Sequence, residues 1–135
     1  MSMMLLPVIS WFMVLMGLAI AVVWTRDIVA KKGLDTSRGL LRAREKSSGA
    51  LMWPHWFAEY LTALCLLAGG LGLLRAEHWG FVIAAISLGM LVYTSLNSLA
   101  WALALRDRSA YAVPMWLGLI GGLASATTIL ILSLS

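Results

Sequence analysis

The chain has 135 residues, of which 61% are hydrophobic and 12% charged, with a formal net charge of +4 and a mean hydropathy of +0.91. A soluble domain carries about 25% charged residues, so a water-soluble globular core is excluded. With Cys65 as the one cysteine, an internal disulfide and a cysteine metal cluster are excluded as well.

Crossing the hydrocarbon as a helix takes about 20 apolar residues. Four stretches reach that length, 3–24, 56–74 (interrupted by Glu59), 79–105 and 110–134. They predict an all-α membrane protein, a four-transmembrane-helix bundle in one domain. Helices are expected at about 3–32, 54–74, 79–105 and 110–134, with a basic loop at about 33–53.

In the first helix no Lys or Arg precedes Arg26. The basic start of a cleavable signal is therefore missing, and the helix is expected to be retained. Trp11 is expected to pack within the membrane. Asp27 and Lys31 stand at helical spacing, and Lys32-Gly33 follows. That pattern predicts a helix continuing past the membrane to a glycine cap.

The loop after it is the main basic feature. Arg26, Lys31, Lys32, Arg38, Arg42, Arg44 and Lys46 precede the second helix, and Arg106 and Arg108 lie between the third and fourth. The opposite face has only Arg75. Basic residues near helix ends stay cytoplasmic, so both loops are expected inside and both termini outside. Lys31, Lys32, Arg38, Arg42, Arg44 and Lys46 are also candidate contacts for anionic lipid, worth about 1 kcal/mol each near the surface. Topology alone accounts for these charges. No aromatic stacking platform accompanies them, so nucleic acid is not an expected partner.

The second helix opens WPHWFAEYLTALC. Pro54 suits a first helical turn, where its missing N–H is not needed. Glu59 then lies roughly 8 Å into the span at 1.5 Å per residue. His55, Glu59 and Thr62 share a face. Trp53 and Trp56 are placed at the inner boundary, as interfacial tryptophans are, and Cys65 reads as a small packing residue.

The third helix enters at Trp79 and brings YTSLNSLAW to the depth of Glu59. Tyr93, Asn97 and Trp101 form one stripe, with Thr94 and Ser98 beside it. Three readings of this polar layer stand. It is an interhelical lock in which a neutral Glu59 donates to Asn97, a cytoplasm-facing cavity where Glu59 holds a proton, cation or polar ligand, or a contact with another subunit. An ionisable residue inside the membrane supports the second.

The fourth helix contains Gly118, Gly121 and Gly122. The first and last form a GxxxG pair that lets helices approach closely, either within the bundle or at a subunit face. Gly17 and Ala21, Ala68 and Gly72, and Ala85 and Gly89 have the same spacing.

Enzymatic chemistry is not expected. No serine or cysteine nucleophile stands with a base and an orienting acid. His55 and His78 fall on opposite faces, and His55 with Glu59 offers two ligands where a closed metal site needs four. No metal or cofactor is expected.

H-x-x-x-E-x-x-T-A at 55–63 and L-G-M-L-V-Y-T-S-L-N-S at 88–98 resemble a group of small, uncharacterised four-helix prokaryotic membrane proteins. The resemblance covers about residues 53–98. It implies a four-helix fold in a prokaryotic plasma membrane, with no activity attached. Small multidrug transporters also have four helices, but their essential glutamate is in the first, where this chain has no charge from Met1 to Thr25. The function expected from these features is that of an accessory or interaction subunit of a larger membrane assembly, with membrane lipid, other membrane subunits or further copies as partners. The alternative is a homo-oligomeric transporter or channel for a small solute or cation, with Glu59 as coupling site.

Overall fold

The structure is a computed structural model that describes residues 2–30, 48–104 and 112–134. They form four helices, α1 (Ser2–Val29), α2 (Ser48–Leu74), α3 (His78–Ala104) and α4 (Ala112–Leu134). Each contains a span long and apolar enough to cross a membrane: Met4–Val29, Pro54–Leu74, His78–Ala100 and Ala112–Ser133. Most of the basic loop, including Lys31, Lys32, Arg38, Arg42, Arg44 and Lys46, lies outside the described residues.

α1 runs to Val29, with a turn at Ala30, and its expected end at 32 lies outside the described residues. The second helix is already formed at Ser48, ahead of the start expected at Pro54. Pro54 removes the hydrogen bond to the Ala50 carbonyl. That carbonyl lies outside the apolar span, where water can satisfy it.

Consecutive helices pack along their lengths, whereas α1 and α4 approach each other only sparsely. The buried residues follow a three–four alternation. On α1 the stripe is Ser10, Met13, Gly17, Ile20, Trp24 and Asp27, with Ile9 buried beside it, and on α3 Gly80, Ala84, Ser87, Leu91, Thr94 and Ser98, with Leu88, Ser95 and Leu99 buried beside it. This 3.5-residue repeat keeps one face against its neighbours in a left-handed bundle. Large apolar side chains outside the stripe, such as Val8, Trp11 and Leu15, face outward, which suits lipid tails.

The end away from the basic loop is closed by backbone. A Cβ on Gly72 would meet the Gly80 Cα at 2.7 Å, and one on Gly69 the Ala84 nitrogen at 2.9 Å. The α2–α3 connection explains the proximity. Ala76 adopts φ 54°, while Glu77 N–H donates to Gly72 O and Ala76 N–H to Leu73 O, both at 3.0 Å. This pair is a Schellman cap with alanine where glycine is usual. Gly80 N–H then bonds Glu77 O at 2.9 Å, starting α3.

Along the sparse α1–α4 seam, side chains span the gap. Phe12 fills the notch at Gly121, and Met16 with the Ser95 hydroxyl fills that at Gly118. Gly122 faces Val92. All three α4 glycines are therefore occupied within the chain.

Candidate functional site: a buried acid–imidazole cluster

Glu59 is placed by the core face of α2, which continues through Thr62, Ala63 and Leu66. It is 2% exposed. Ser98, on the core stripe of α3, donates from Oγ to Glu59 Oε1 at 2.9 Å. His55 lies one turn before Glu59, with Nε2 3.8 Å from the same Oε1.

The third wall comes from α1. Trp24 meets the His55 ring edge-on, with centroids 4.8 Å apart and planes at 84°. Its indole N–H approaches the Glu59 carboxyl outside strict hydrogen-bond geometry. One step along the stripe is Asp27, 1% exposed. Nearby, Thr25 and the Tyr60 hydroxyl share a 2.6 Å hydrogen bond that ties α1 to α2.

The cluster therefore joins the end of α1, the start of α2 and the end of α3, all at the basic-loop end. An acid facing lipid at the membrane centre costs about 2.5–3.5 kcal/mol on insertion scales. Turning both carboxyls inward against an imidazole, an indole and a hydroxyl offsets that cost. It also leaves two titratable carboxyls and a histidine in one packed volume.

The sequence-derived set divides. His55, Glu59 and Ser98 come together. Thr62 and Thr94 are buried beside them but bond back to their own helices, to Ala58 O at 2.8 Å and Leu91 O at 3.4 Å. Tyr93 is 70% exposed, and Asn97 is exposed too. The expected Glu59–Asn97 bond is therefore replaced by Glu59–Ser98, because Asn97 is about 100° around the helix from the core stripe.

Among the described residues, no three of His, Cys, Asp and Glu are arranged to hold a metal ion. A surface depression of about 520 Å³ runs along the end of α1 beside Ala21, Val22, Thr25 and Arg26. Neither acid nor His55 lines it.

Residues 3–134 match the family model described as Domain of unknown function (DUF8058). The chain belongs to the DUF8058 family. No curated protein and no solved structure matches it. The match spans all four helices, so the cluster lies wholly within the DUF8058 domain. Two members of the cluster in this DUF8058 chain, Trp24 and Asp27, escaped sequence reasoning. The signal was present: Met13, Gly17, Ile20, Trp24 and Asp27 continue one three–four spacing, which puts Asp27 on the core face. The Asp27–Lys31 pairing pointed instead to a solvated helix end.

Proposed function

We propose that the protein is a non-enzymatic integral membrane protein that takes up and releases a proton at Glu59, in the cluster it forms with His55 and Asp27. That exchange is coupled to movement of a small solute or ion. The observation behind this reading is the convergence of two carboxyls, each at least 98% buried, with one imidazole. Ionisable residues inside a membrane bundle mark proton relays and coupling sites. The close packing of the cluster suits a proton, which needs no cavity.

Eight basic residues on the loops joining α1 to α2 and α3 to α4, with Arg26 in the last turn of α1, favour a cytoplasmic location for the cluster end and an outside location for both termini. The membrane proposed is a prokaryotic plasma membrane.

The test is flux in proteoliposomes under an imposed pH gradient, with a panel of cations and amines. Wild type should move at least one of them, and Glu59→Gln and Asp27→Asn should abolish that movement. Equal flux in wild type and both variants would eliminate the coupling role.

A second reading, an accessory subunit of a larger membrane assembly, is favoured by the closed far end, where Gly72 meets Gly80 and Gly69 meets Ala84. That packing offers no polar route through one copy in this state. Purification in mild detergent at native expression should then recover a stoichiometric partner, and repeated recovery of this chain alone would count against it.

A further inference from the structure

With Ser98 occupying the place expected of Asn97, Tyr93 and Asn97 stand outside the bundle. No hydrogen bond among the described residues reaches either side chain. Gly89 lies one turn before Tyr93, so Gly89, Tyr93 and Asn97 form a row at four-residue spacing on the exposed side of α3, slanting from opposite the core stripe at Gly89 to its flank at Asn97. A Cβ on Gly89 would meet nothing within 4 Å, so packing within one chain does not require a glycine there. All three fall inside the apolar span His78–Ala100. Gly89 is at its middle, with Tyr93 and Asn97 about 6 and 12 Å further along by helical rise.

Lipid tails offer an amide nothing to bond. Outward-facing Thr127 escapes that problem by bonding back to Leu123 O at 2.9 Å. Asn97 makes no such bond, and it presents two N–H donors and a carbonyl acceptor.

The geometry points to a second copy of this chain docked on the outer face of α3, in a parallel two-fold dimer centred on Gly89, Tyr93 and Asn97. The amide chemistry selects the occupant. A carboxamide is self-complementary, so each Asn97 N–H donates to the carbonyl oxygen of the other. A two-fold axis along the membrane normal sets each residue against its own copy, and copies inserted in the same sense meet in parallel. Gly89 lets the two helices approach at mid-membrane. The outward faces of α1 and α4 around Leu15, Val22, Ile120 and Leu123 are apolar and need only lipid.

The test is disulfide cross-linking in native membranes in a Cys65→Ala background, with Asn97 retained. Leu96→Cys and Ala100→Cys flank Asn97 on the exposed side of α3, and Ile120→Cys on α4 is the control. Cross-linked dimer is expected from the α3 positions and not from α4. In vesicles, energy transfer between labelled copies followed on lipid dilution should show Asn97→Leu weakening self-association about three- to twentyfold, with Asn97→Gln close to wild type. Because Asn97 is exposed, helicity by circular dichroism should be unchanged. No α3 cross-link, equal cross-linking through Ile120→Cys, or unaltered association in Asn97→Leu each overturns the dimer, whether lipid or a different chain then covers this face.

Discussion

Ser98 holds Glu59 with a short side chain that needs a fixed helix position to reach it, whereas its larger neighbour Asn97 points away. Polar interactions between membrane helices average about 0.6 kcal/mol. A double-mutant cycle of Glu59→Leu with Ser98→Ala, followed by unfolding in dilute mixed detergent, should show coupling of about that size. The cycle of Glu59→Leu with Asn97→Leu should be additive, and the reverse ranking would place Asn97 in the core. Glu59→Gln preserves the shape and an acceptor oxygen for Ser98, so it should leave folding nearly intact. His55 and Glu59 were legible as a pair because one helical turn separates them. Ser98 was harder to recognise, since a lone serine in a membrane helix usually bonds its own backbone, as Ser10 does to Leu6 O at 2.7 Å.

At the level of the helices, the fold was readable because hydrocarbon demands long apolar spans. The packing faces were also encoded, in the three–four spacing. What hid Asp27 was competition between two valid rules: its spacing from Trp24 marks the core, while its spacing from Lys31 marks a solvated helix. The connections carry their own constraints. Ala76 occupies a left-handed position that disfavours a Cβ, so Ala76→Gly should stabilise the α2–α3 turn by about 0.5–1 kcal/mol in the same unfolding assay. A loss of stability would mean that the turn adopts another conformation. Gly80→Ala should cost about 1–3 kcal/mol, because its Cβ would strike the Gly72 backbone. Gly89→Ala should leave the fold of one chain nearly unchanged, and equal losses at both positions would contradict the packing described.

Across the whole molecule, a backbone-sealed half is set against a polar half at the basic end. Its orientation is testable in a Cys65→Ala background. With an impermeant thiol reagent on intact cells, Ser135→Cys should react and Ser47→Cys should be protected, and the opposite pattern would invert the bundle. Under the proposed proton-coupling role, orientation determines which compartment would supply protons to the cluster. A membrane-permeant carbodiimide reacts with protonated carboxyls, and peptide mass spectrometry locates the adduct. In uniformly oriented proteoliposomes, an adduct should form on Glu59, decline when pH is raised on the basic-loop side, and stay constant when it is raised only on the other. Absence of adduct at Glu59, or labelling indifferent to pH on the basic-loop side, would contradict a proton site that exchanges with that face.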